Sequence, residues 1–149
     1  MMKAFKRPTS AKEAIEMSHR YFNNAKEILK NVEIKYGIYT DEKPVKEACA
    51  IGYLSALLAI DAFALSKGCP EDKLPTSYDE YWEWLKKAPH NGKLQASLRV
   101  VYENLHIFGY YRGGVGVEMI KEGFKHAKRI IDTFSKLFDR KKKREDYNP

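Results

Sequence analysis

Tyrosine, histidine and arginine recur at helical spacing near residue 105, and their side chains can bind anions, stack on rings or move protons. Tyr102, His106 and Tyr110 stand four apart, so on a helix they share one face. Arg99 comes seven before His106, close to two full turns, and falls near that face. Tyr111 and Arg112 follow directly, beside a glycine-rich turn. Arginine next to aromatic rings suits an anionic or nucleotide-like ligand, because guanidinium pairs with phosphate and rings stack on bases. Turned inward, the same strip is a fastening, with phenol and imidazole groups joining helices by hydrogen bonds.

Asp61 is the only acid between Ala48 and Leu65. A carboxylate in so apolar a stretch requires a partner. Arg112, His106 or a tyrosine hydroxyl of the strip are the expected ones. Paired with His106 it would make an acid–base couple; paired for structure alone it would be a buried tether that sets helix register. Glu103 and Glu118 read as surface charges.

The run YDEYWEWL (78–85) is a second aromatic concentration. Tyr78, Tyr81 and Trp82 share one helical face, while Trp84 lies two residues, or about 200°, from Trp82. One tryptophan is expected to cover the end of the core and the other to meet a partner, since tryptophan is enriched at interface hot spots. A second copy of the chain is the simplest such partner; partial burial under a loop is the bland alternative.

The glycines at 109, 113, 114 and 116 form no phosphate-binding loop, because no strand precedes them. Glu103/His106 and Glu16/His19 have the Glu-x-x-His spacing of di-iron bundles, but the carboxylates needed from other helices are missing. No metal and no cofactor is expected.

The elements that must position these residues read as helices. Ser10-Ala11-Lys12-Glu13 is a capping box, which starts a first helix with a stripe at Ile15, Ser18, Phe22, Ala25, Leu29, Val32 and Tyr36, closed by Gly37. Pro44 opens a second helix that runs to about Lys67 and closes at Gly68. It is apolar on nearly every side and rich in alanine, so it is expected at the centre. Ser77-Tyr78-Asp79-Glu80 is another capping box and opens the short aromatic helix. A third long helix spans about Asn91 to Tyr111 and a fourth about Val117 to Arg140, with stripes at Leu94/Leu98/Val101/Leu105/Phe108 and Ile120/Phe124/Ala127/Ile131/Phe134/Phe138. No strand pattern competes. The expected fold class is all-α: an antiparallel up-down four-helix bundle with a short extra helix between helices 2 and 3.

A chain of 149 residues fits one domain, divided as an arm over 1–9, the bundle over 10–139 and a basic, disordered tail over 140–149. Apolar residues are 44% and charged ones 32%, a balance that excludes wholesale disorder. The longest apolar stretch is interrupted by Gly52, Ser55 and Asp61, and the N-terminus lacks an apolar signal core, so no membrane partner and a cytoplasmic location are expected. Cys49 and Cys69 lie too far apart on one helix for a disulfide. The net charge of +7 owes five positive charges to Arg140–Arg144, a run that could hold nucleic acid or simply aid solubility.

The segments LLAIDAFALSKG (57–68), YDEYWEWLKK (78–87), NGKL (91–94), VYENLHIFGYYRGG (101–114) and IKEGFKHAKRII (120–131) resemble a small bacterial family of unknown function. That family is similar to the HEPN superfamily of four-helix bundles, which includes nucleotidyltransferase-associated substrate-binding subunits and RNase toxins. The resemblance implies a HEPN-like bundle, homodimeric, acting as a non-catalytic binding or interaction module, with a nucleotidyltransferase-type protein among its expected partners. HEPN RNases carry an arginine followed after four to six residues by histidine near the start of the last helix. Here the histidine after Arg112 is His126, while Arg99 and His106 have the loose spacing in the middle of the third helix. The alternatives are therefore a metal-independent RNase using Arg99 and His106, or a scaffold that binds nucleic acid through its tail.

Overall fold

Three of the helices start where a short polar side chain takes up a backbone amide that has no partner inside the helix. In the computed structural model, which describes residues 7–147, Ser10 Oγ accepts from the Glu13 amide at 3.1 Å and starts α1 (Ala11–Lys30). Asp41 does the same for the Lys43 amide and starts α2 (Glu42–Ser66). Ser77 accepts from the Glu80 amide and starts α3 (Tyr78–Leu85), and Glu80 Oε2 reaches back to the Thr76 amide at 2.8 Å. α4 begins at Asn91 and runs as α-helix to Val101. α5 spans Val117–Tyr147. A single 3₁₀ turn, Glu71–Lys73, bridges α2 and α3.

The chain is thus mainly helical, and α2 is its axis. Ala48, Ala56, Ala59, Ala62 and Ala64, with Gly52 and Ser55, are buried, and the other long helices pack around it. Ser18 of α1 donates to the Ser55 carbonyl at 2.6 Å, which the small residues permit. Gly52 faces the Phe124 ring of α5 so closely that a methyl group there would lie 2.6 Å from Cε1. Phe63 of α2 stacks on Phe134 of α5 at 4.8 Å. By length and composition α2 could cross a bilayer, yet 72% of its most apolar window is buried inside this fold. Its apolar faces are occupied by protein.

Three sequence expectations are corrected. The first helix does not reach Gly37: it ends at Lys30, and Tyr36, expected in the core stripe, is 100% exposed. Residues 34–39 instead form a hairpin of β1 (Ile34–Lys35) and β2 (Ile38–Tyr39), where no strand was expected. Tyr36 and Gly37 both have positive φ, as the tight two-residue hairpin turn demands. The Tyr39 amide donates to the Val115 carbonyl at 2.9 Å, and the Val117 amide to that of Gly37 at 3.0 Å, so the hairpin also ties down the entry to α5. Finally, α5 carries the basic run Arg140–Arg144 on to Tyr147 as helix, where a disordered tail was expected.

Candidate functional site

The strip exists as a continuous stack of rings drawn from three helices. Tyr78 and Trp82, one turn apart on α3, have centroids 6.0 Å apart. Tyr78 lies 4.4 Å from Tyr102. Tyr102 lies 5.3 Å from His106, and His106 lies 6.0 Å from Tyr110 at an interplanar angle of 18°. Tyr53 of α2 backs the row, stacked on His106 at 4.6 Å. It is a residue that sequence reading missed, because in a uniformly apolar helix nothing marks it out. At the other end Arg99 lays its guanidinium 5.3 Å from the Trp82 centroid. Each such pair contributes about 0.5–1.5 kcal/mol beyond its buried area.

Burial governs the titration of Tyr53, Tyr78 and His106. It pushes the Tyr53 hydroxyl well up, with Tyr102 and Tyr78 adding to the effect. It raises Tyr78 too, and there Arg99 pulls the other way. It lowers His106, which favours a neutral imidazole at physiological pH. Arg99 and His106 occupy different stations on the strip, with Tyr102 between them in the stack.

The backbone under the strip is unusual. From Tyr102 to Tyr111 the helix continues α4 with π geometry. The Arg112 amide donates to the Ile107 carbonyl at 2.9 Å, a step of five residues. The uniform α-helix expected to Tyr111 is corrected accordingly. Such wide turns are rare beyond one turn and recur at functional sites. Two features hold this one. Asn104 Nδ2 donates to the Met119 carbonyl at 2.9 Å. Gly109 sits so tightly on Cys49 that a side chain there would collide with its sulfur. Beyond it the strip opens: Tyr110 is 45% and Tyr111 75% exposed, Arg112 is exposed, and Gly113 turns the chain away with φ 69°.

Asp61 does not join the strip. Its expected partners, Arg112, His106 or a tyrosine of the third long helix, are replaced by Arg7 of the N-terminal arm. Arg7 Nη2 donates to both carboxylate oxygens at 3.2 and 3.3 Å and to the Tyr81 hydroxyl at 3.2 Å, while Nη1 donates to the Pro75 carbonyl at 3.1 Å. Asp61 lies eight residues beyond Tyr53, roughly 12 Å further along α2. Burial raises its carboxyl to about 6, against the opposing pull of Arg7 and the Tyr81 hydrogen bond. Tyr81, expected at a partner surface, is buried in this knot. The two tryptophans are both half-buried: Trp82 belongs to the strip, and Trp84 packs edge-on against Phe63 with Lys87 Nζ 4.0 Å above its ring.

One further constellation escaped sequence reading because it joins two helices. His126 Nδ1 is 2.9 Å from Ser97 Oγ and its Nε2 is 3.0 Å from Glu122. The order serine–histidine–carboxylate matches that of a hydrolytic triad, but Ser97 is fully buried between α4 and α5 and offers no substrate approach. It is a helix fastening. Among the described residues no three His, Cys, Asp or Glu side chains converge as a metal site needs.

A family profile described as "Domain of unknown function (DUF5618)" matches residues 13–136. A solved structure described as a protein of unknown function from Dyadobacter fermentans is 34% identical, with a TM-score of 0.73, over 86% of this chain and 98% of that one. No curated protein matches the chain.

Proposed function

The chain belongs to the DUF5618 family of domains of unknown function, and since no activity comes with that membership we propose one from its own surface: a non-catalytic module that binds a small, planar, anionic ligand of nucleotide type. The single observation behind this reading is how the ring stack ends. From Trp82 to His106 the rings meet one another at tilts of 34–41°, and His106 stacks on Tyr110 at 18°, whereas Tyr110 keeps 45% of its surface exposed beside Tyr111 and the exposed Arg112. A base or similar ring extends the stack on Tyr110, and its phosphate meets the Arg112 guanidinium. His106, kept neutral, adds a hydrogen-bonding edge without charge. The arrangement binds and orients; it brings no nucleophile or acid–base pair to the ligand.

The architecture is read as an up-down four-helix bundle of HEPN type built from α1, α2, α4 and α5, which pack on one another around α2. A homodimer working away from the membrane completes the reading.

The test is an amide-resolved NMR titration with adenosine monophosphate, adenosine and inorganic phosphate in parallel. Shifts gathered on Tyr110, Tyr111 and Arg112 are expected with the monophosphate. Tyr110→Ala should weaken binding by about 5- to 100-fold, the worth of one stacked base. Arg112→Ala should erase the preference for monophosphate over adenosine. No shifts at millimolar monophosphate would refute the reading. Light scattering at high micromolar concentration tests the dimer, and a strict monomer counts against it.

A further inference from the structure

A second concave surface lies away from the strip, between the C-terminal half of α1, the hairpin and the start of α5. It is a groove of about 540 Å³, a volume in the range of small-molecule sites. Its floor is apolar and fixed: Leu29, Tyr39 and Phe124 line it and are themselves buried. Ile34, on the hairpin, adds an exposed apolar wall. Its rim is basic. Lys26 and Lys30 stand one turn apart on α1, and Lys121 stands one turn before Phe124 on α5. Lys26 Nζ lies 6.0 Å from the Phe124 centroid, so Lys26 and Lys121 flank the same ring. None of the three lysines forms an ion pair among the described residues, and Glu27 is the one carboxylate in the lining.

Helix electrostatics account for only part of this rim. Lys26 and Lys30 sit in the closing turns of α1, where the macrodipole welcomes cations. Lys121, the fifth residue of α5, stands beyond the first turn, so the macrodipole does not bear on it, and it completes the basic rim beside Phe124. We propose that the groove binds an amphiphilic anion of the fatty-carboxylate kind, its head between Lys26 and Lys121 and its aliphatic body along Leu29, Tyr39 and Ile34. Charge sets the orientation, with three ammonium groups facing one carboxylate. Ile34, the lysine stems and the exposed edges of the floor supply the apolar contact, in proportion to the chain length they cover.

The test uses the full chain and monomeric decanoate, followed by calorimetry and by amide NMR, with octanoate, decanol, acetate and vesicles of phosphatidylcholine and phosphatidylglycerol as parallel arms. Decanoate should shift amides of α1, the hairpin and the first turns of α5 while sparing Tyr110–Arg112. Octanoate should bind about tenfold more weakly, for two methylenes fewer. The Lys26→Glu/Lys121→Glu pair should lose at least about tenfold in decanoate affinity and Lys26→Arg/Lys121→Arg should keep it, because arginine preserves the charge-assisted contact. Both pairs change exposed side chains, and circular dichroism checks that they fold. Any of four results overturns the proposal: no decanoate binding, equal binding of decanoate and decanol, indifference to the charge reversal, or binding to the anionic vesicles alone.

Discussion

Asp61→Asn should remove a pH dependence of stability that runs opposite to the usual carboxylate pattern. Burial lifts the Asp61 carboxyl from its ordinary 3.8 to about 6 although Arg7 and Tyr81 both favour the ion. A group whose folded pKa lies above its unfolded value binds protons more tightly when folded. Its contribution is therefore full below about pH 4 and is lost as the pH rises towards 6. The shift is about two units, and each unit is worth about 1.4 kcal/mol, so the loss is about 3 kcal/mol. Asparagine keeps the shape and most of the hydrogen bonding but cannot ionise. Urea unfolding at half-unit steps from pH 4 to 7, read by tryptophan fluorescence, compares the two proteins. The wild-type advantage over Asp61→Asn should shrink by about 3 kcal/mol between pH 4 and 6.5 and then stay level. A difference that is flat, or that grows with pH, would refute the argument. Arg7→Ala supplies the control. Without the guanidinium the carboxyl rises further, so the loss should still begin near pH 4 but grow larger and continue to a higher pH.

Two backbone predictions follow from packing. Gly109→Ala should cost about 1–3 kcal/mol by overpacking against Cys49, and Cys49→Ala in the same chain should return part of it, a coupling that a double-mutant thermal-unfolding cycle measures. Tyr36→Asn should raise stability by about 1 kcal/mol in the same assay, since a fully exposed tyrosine at φ 53° carries the left-handed penalty with no compensating contact.

The helices were legible because their signals are local. Ser10 with Glu13 and Ser77 with Glu80 form the caps that their spacing implies, and Gly68, at φ 91°, closes α2. The hairpin was hidden by a coincidence of period: Val32 and Tyr36 continue the alternating three- and four-residue steps of α1, so the stripe ran past the true end. Tyr-Gly is also a weaker turn signal than Asn-Gly, whose first residue accepts positive φ readily. The strip on the third long helix was legible in Tyr102, His106 and Tyr110 for the same local reason. Its continuation through Tyr78 and Tyr53 was not, because it depends on how α3 and α2 meet that helix.

Arg7 shows the deeper limit. A buried aspartate demands a cation, and that demand is visible in the sequence, but it names no partner: any arginine the fold can deliver satisfies it. Arg112, His106 and the tyrosines of the third long helix were the expected partners because they form the polar strip. The fold delivered Arg7 because Pro75, at the turn into α3, offers a carbonyl beside Asp61 and Tyr81, so that one guanidinium satisfies three groups at once. Arg112 stands at the other end of α2: the neighbouring Gly113 packs on Glu42 and Lys46, and Lys46 is 15 residues, about 22 Å, before Asp61 on that helix. The expected pair was therefore out of reach whatever Arg7 does, and Arg112 is exposed at the open end of the ring row for reasons of its own place in the fold.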